Sequence, residues 1–197
     1  MNLPTNLLQQ TERLLASDRL SAPTRDALKT RLERRYGAPR LFDAIQMQTL
    51  RAAAARLIPA PGVADAVDLA GALDAALAQG DGDGWRYADL PPDRALHSLG
   101  LDALDAAARR RFASGFEALN AEAQDELLRA AADGRLDSGV EDLDSARWFE
   151  ELLVLLVELH FSHPLVQVAM GYDGMADAHG VQAVGLAQVA AEARHAG

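Results

Sequence analysis

Two imidazoles three residues apart, His160 and His163, are followed by Asp173, Asp177 and His179, the densest run of side chains with metal-ligand chemistry in the chain. A His/His/Asp set of this kind suits zinc or iron and would make the protein a metal-dependent enzyme built on His160, His163, Asp173 and His179. The plainer use of the same residues weighs more. A histidine in the last turn of a helix interacts favourably with the negative end of the helix dipole, and one beside a proline satisfies a backbone group. Adjacent carboxylates, Glu150/Glu151 and Glu141/Asp142/Asp144, have the chemistry for proton transfer. They fall in loops or beside one another at expected helix starts, where solvation accounts for them. Gly80-Asp81-Gly82-Asp83-Gly84 looks like a calcium loop but lacks the distal bidentate Glu. No Gly-rich turn joins a strand to a helix, and no Ser or Thr sits in a nucleophile elbow. With no cysteine in the chain, thiol nucleophiles, thiolate zinc sites and disulfides are excluded. The residues therefore assemble no catalytic, cofactor or metal set, and the expectation is a chain that is not an enzyme.

What remains is surface. Met170, Tyr172 and Met175 lie in a Gly-rich loop, and Trp85 and Tyr87 lie in another. Solvated loops seldom carry such large side chains, whereas protein interfaces are enriched in aromatics and Met. These five are the candidate partner-interface residues, with folding back over the helices as loop plugs the competing reading.

The chain that must position them has 197 residues, 49% hydrophobic, 24% charged and 5% aromatic, with a net charge of −10. That length buries ~70% of the unfolded surface without help from metal or disulfide. The acidic balance argues against nucleic acid, which is bound by neutralising phosphates. Charge is uneven: residues 1–60 carry 10 Arg/Lys against 5 Asp/Glu, and residues 61–197 carry 9 against 24. The longest aliphatic run, Leu152–Val157 between two glutamates, falls far short of the ~20 residues of a membrane span. The N-terminus has neither a basic n-region nor an apolar core, so a cytoplasmic location is expected. The periplasm is the alternative if a partner carries the export signal for both.

Periodicity is helical nearly throughout, and the expected fold is all-α: a multi-helix bundle around a central apolar helix, 146–161, with an N-terminal helical arm at 1–40 and one domain over 41–197. Leu7, Leu8, Leu14 and Leu15 mark a first helix, and Ser21 with Pro23 starts a second that Gly37 and Pro39 stop. A third runs from about 41 to 58 with Ile45, Leu50, Ala54, Leu57 and Ile58 inward, and a fourth from 63 to 78. Residues 85–98, with Pro91-Pro92, read as irregular. Helices follow over 101–116, over 121–132 capped by Asn120, and over 146–161 capped by Asp144. The last of these is apolar on almost every face, the mark of a helix enclosed by others. His163-Pro164 ends it, 170–180 is a loop, and 181–195 is a final helix.

Several segments, taken in order, resemble the gluconate 2-dehydrogenase subunit 3 family, the small subunits of flavin-dependent sugar dehydrogenases. They are Leu50–Ala60 with its Leu-Ile-Pro turn, Gly100–Ala108 with Phe112 and Phe116–Leu119, Ala123–Leu128, and Trp148–Leu152 running to Phe161-Ser162-His163-Pro164 and a Gly/Tyr loop. The resemblance implies an all-helical accessory subunit without a cofactor of its own. Its implied partner is a large FAD-containing catalytic subunit of the glucose–methanol–choline type, which it helps to fold, remain stable and be exported. The chain departs from the family in lacking a twin-arginine signal, and in reading Gly171–Asp177 where many members have Tyr-Gly-Gly-Asn. A helical interaction module unrelated to dehydrogenases is the remaining alternative.

Overall fold

Eight α-helices and no strand account for the regular structure among the described residues, which in this computed structural model are 5–59, 63, 66–80, 90–172, 177 and 178. The helices are α1 (Thr5–Ala16), α2 (Ala22–Glu33), α3 (Ala44–Leu57), α4 (Leu69–Gln79), α5 (Asp93–Phe112), α6 (Ala121–Ala132), α7 (Ser145–Phe161) and α8 (Pro164–Ala169), with a 3-10 turn at Phe116–Ala118. The all-helical class expected from the periodicity is what the structure shows. The chain forms two compact units, one of residues 35–161 and one of residues 1–34 with 162–197.

Helix boundaries in the larger unit follow local capping chemistry. Asp43 accepts the Gln46 N–H at 2.8 Å while the Gln46 side chain accepts the Asp43 N–H at 3.1 Å, a reciprocal box that starts α3. Asn120 starts α6 by accepting from the Ala123 N–H at 2.9 Å, and Asp144 accepts from the Arg147 N–H at 3.1 Å at the head of α7. Two starts differ from the sequence expectation. Helix α4 begins at Leu69 rather than at 63, because Asp68 supplies the cap by accepting from the Gly71 N–H at 2.9 Å. Helix α5 begins at Asp93 rather than 101. Pro91-Pro92 lead into it instead of breaking it, since proline has the φ of a helix entrance and no N–H to leave unpaired there.

Within this unit α7 packs on α4, α5 and α6, and α3 packs on α4, α5, α6 and the 3-10 turn. The core is filled by Leu50 of α3, Leu73 and Leu77 of α4, Leu96 and Leu104 of α5, Phe116, and Trp148, Leu152 and Leu156 of α7. Helix α5 approaches α7 through Gly100: a Cβ there would overlap the Trp148 indole, so the missing side chain is what admits the ring. The enclosure of α7 on every side is not observed. Burial runs along one stripe at intervals of three or four, Ser145, Trp148, Leu152, Leu156 and His160, whereas Val154 is 47% and Phe161 44% exposed. Ile45, expected inward, is 49% exposed, because α3 buries the face of Gln46, Met47, Leu50, Ala53 and Ala54 instead.

Carboxylates tie the loops of this unit to its helices. Asp74, 3% exposed in α4, accepts from the backbone N–H groups of Arg40, Leu41 and Phe42 at 2.8, 3.0 and 2.9 Å. Burial alone would raise its pKa. The three donors and the Arg40 charge outweigh that and hold it below the usual carboxylate value. Asp105 of α5 accepts from the Phe116 N–H at 2.9 Å and from Arg109 at 2.6 Å, fixing the 3-10 turn. Arg56 grips Asp125 with two N–H groups, each at 2.7 Å, joining α3 to α6.

The smaller unit is held by Leu15, Leu20 and Leu28, with Leu14 and Leu32 packed against them. Arg25 of α2 donates to the carbonyls of Leu15, Ser17 and Leu20 at 2.7–3.0 Å, tying the last turn of α1 and the turn that follows it to α2. Helix α8, absent from the sequence reading, packs on α1 and α2. His163-Pro164, read as a stop, is also a start: Pro164 occupies the first turn and His163 Nδ1 accepts from the Leu165 N–H at 3.3 Å. No helix among the described residues is long and apolar enough to cross a membrane.

Candidate partner interface

The turn that ends α8 is closed by three backbone hydrogen bonds: Met170 N–H to Val166 O at 3.0 Å, Gly171 N–H to Val168 O at 3.0 Å, and Tyr172 N–H to Gln167 O at 2.9 Å. Gly171 takes φ +69°, a left-handed conformation that favours glycine and reverses the chain. The turn thereby presents Met170, 63% exposed, and Tyr172, 53% exposed, from a hydrogen-bonded base. These two interface candidates share one turn. Met175, Trp85 and Tyr87 lie outside the described residues, as does the helix expected over 181–195.

Five positions beyond Tyr172 the chain is anchored again. The Asp177 carboxylate accepts from the Ser21 N–H at 2.7 Å, the Ser21 hydroxyl at 2.6 Å and the Thr24 hydroxyl at 2.6 Å, and Ala178 N–H donates to Arg19 O at 2.9 Å. Three donors stabilise the ionised form and bring Asp177 down to about 2. Ser21 was legible as the cap of α2; that a residue from the far end of the chain shares it was not.

In the larger unit Val154 and Phe161 stand seven residues apart on the outer face of α7, flanked by exposed Glu150 and Glu158. Sequence reasoning passed over them, although a signal existed: α7 carries more apolar residues than one buried stripe needs. Apolar surface of this kind gains ~25 cal/mol per Å² when a partner covers it.

The metal alternative fares differently. His160 lies in the last turn of α7 in the larger unit, edge-on to Phe161 at 5.0 Å, and burial lowers its pKa. His163 belongs to the smaller unit and caps α8. Asp173 and His179 lie outside the described residues, and among those described no three His, Cys, Asp or Glu side chains come together to hold an ion. Of the carboxylates, Asp144 caps α7, and Glu150 stands exposed on the outer face of that helix.

A family model described as gluconate 2-dehydrogenase subunit 3 matches residues 44–176, from the first residue of α3 to the segment after α8. No curated protein and no solved structure matches the chain.

Proposed function

Because the chain belongs to the gluconate 2-dehydrogenase subunit 3 family, small subunits of dehydrogenase complexes, we propose that it is a non-catalytic accessory subunit. Its partner in this reading is a large FAD-containing catalytic chain of the glucose–methanol–choline type that oxidises a sugar or glycoside. The flavin, the substrate site and the electron path belong to that partner, and this chain contributes no cofactor. The family match over most of the helical domain carries the proposal, and the exposed Met170 and Tyr172 on a closed turn support it. We place the complex in the cytoplasm, with the periplasm as the alternative where the catalytic chain carries an export signal.

The physical task is cover. A partner that binds the folded catalytic chain and not the unfolded one stabilises it by mass action, about 2.7 kcal/mol at a hundredfold excess over Kd. Met170 and Tyr172 are the contacts we assign to it, with Met175, Trp85 and Tyr87 as further candidates from the sequence alone. Co-expression with the FAD-containing oxidoreductase encoded nearest to this chain tests the proposal. Soluble, flavin-loaded oxidoreductase should accumulate only with the small subunit present. An oxidoreductase equally soluble and active alone, with no complex on gel filtration, contradicts it.

A further inference from the structure

Helix α7 has two faces, and the fold of its unit uses only one of them. At about 100° per residue, the buried stripe of Trp148, Leu152 and Leu156 looks into the unit. The opposite stripe is Arg147, Glu150, Val154 and Phe161, with Val157 and Glu158 on either side of it. An outer stripe in contact with water is normally polar. Here Val154 and Phe161 are each close to half exposed, and Val157 between them is only half-buried. The three stand at i, i+3 and i+7, the spacing at which side chains on one helix face form a continuous contact surface.

The charge beside this apolar ridge has one sign. Arg147, at the head of the helix, is engaged by Asp144 at 3.4 Å. From Trp148 to Phe161 the helix carries Glu150, Glu151 and Glu158 and neither Lys nor Arg, and its one histidine, His160, is buried on the inner stripe. Glu158 is exposed next to the ridge and has no ion-pair or hydrogen-bond partner among the described residues. These glutamates discriminate between occupants. A second copy laid on the same face would set the acids of one helix against those of the other. A membrane surface suits helices with Lys and Arg on the polar face, and an anionic one would repel this helix. A segment with Lys or Arg among aliphatic side chains meets open apolar surface and an uncommitted carboxylate together. Helix α7 also lies wholly inside residues 44–176, the part of the chain on which family membership rests.

We propose that the outer face of α7 is a docking ridge for a basic–aliphatic segment of the catalytic chain, its apolar side chains covering Val154, Val157 and Phe161 and its Lys or Arg pairing with Glu158. The choice of the catalytic chain as occupant rests on the accessory-subunit reading. The photoreactive residue p-benzoylphenylalanine in place of Val154, in the full chain co-expressed with the FAD-containing oxidoreductase encoded nearest to it, tests the occupant. Irradiating the purified complex should join this position to an oxidoreductase peptide containing Lys or Arg, identified by mass spectrometry. Adducts formed only with a second copy of this chain or only with its own residues 179–197, or none with the oxidoreductase, overturn the proposal. Affinity for the oxidoreductase is the second readout. Val154→Gln with Phe161→Gln should weaken binding at least about tenfold, while the melting temperature stays within about 2 °C of the parent because both side chains are already exposed. Glu158→Lys should weaken it about tenfold, and Glu158→Gln should bind with a shallower salt dependence than the parent. Undiminished binding by these variants, in a complex that still forms, overturns the ridge and leaves the accessory-subunit reading standing. A wild-type chain that forms no complex refutes that reading and this proposal with it.

Discussion

Acidifying the protein from neutrality to about pH 5 should remove about 2 kcal/mol of stability from the 35–161 unit through one side chain, His97. This imidazole on α5 is 1% exposed, its Nδ1 has no hydrogen-bond partner among the described residues, and burial lowers its pKa from 6.5 to about 4 against a weaker opposing pull from Asp93. The folded state therefore refuses the proton that the unfolded chain accepts. Stability is complete above the unfolded value near 6.5, declines as the pH falls towards about 4, and levels off below it. Over the whole range from 6.5 to about 4 the loss is roughly 3 kcal/mol, and about 2 of that is gone by about pH 5. His160, also lowered by burial, adds a slope of the same sign, so the wild type alone cannot isolate His97. Urea unfolding followed by far-ultraviolet circular dichroism, at several pH values between about 7.5 and 4.5, should be compared between wild type and His97→Leu. The leucine substitution keeps the volume, removes the titration and leaves every other group in place, so the pH dependence of the difference belongs to His97. A wild-type-minus-variant difference that stays flat across this range would refute the claim that the imidazole is buried in its neutral form.

Gly100→Ala should destabilise the protein by about 1–3 kcal/mol in thermal melts, because the added methyl overlaps the Trp148 indole. Helix propensity alone favours alanine by ~1 kcal/mol, so a gain in stability would show that the two helices do not approach as described. Asp74→Ala strands three backbone donors and should cost on the order of 3 kcal/mol or more, with hydrogen exchange accelerating at the amides of Arg40, Leu41 and Phe42; Asp74→Asn should recover part of the loss. Replacing Met170 and Tyr172 together by alanine should weaken the dehydrogenase complex while moving the melting temperature by no more than about 2 °C, since both side chains face solvent. A large fall in melting temperature would identify them as loop plugs.

Much of the helical layout was legible because capping chemistry is local. Ser21, Asn120 and Asp144 each announce a helix within four residues, and the structure places a helix at each. Two of the misread boundaries share a cause: a proline can admit a helix or stop one, and nothing within a few residues of Pro92 or Pro164 separates the two roles. The face of α7 was overread for a different reason. Composition gives the number of apolar residues on a helix, but only the arrangement of α4, α5 and α6 around it decides that the Trp148–Leu152–Leu156 stripe is buried and Val154 and Phe161 are left outside. The carboxylate anchors were invisible, since Asp74 reaches backbone more than thirty residues away and Asp177 reaches Ser21 across most of the chain. Large side chains in a Gly-rich loop were the sequence signal for Met170 and Tyr172 as interface candidates, and the structure leaves both exposed.

The account turns on whether this chain serves a flavoprotein. Purification of the tagged small subunit from its native host, followed by light scattering with absorbance read at the flavin band, measures that directly. A single species should elute with the mass of a heteromeric complex and a flavin spectrum, and dehydrogenase activity should travel with it. A flavin-free small subunit eluting by itself, with the activity in another fraction, would contradict the account.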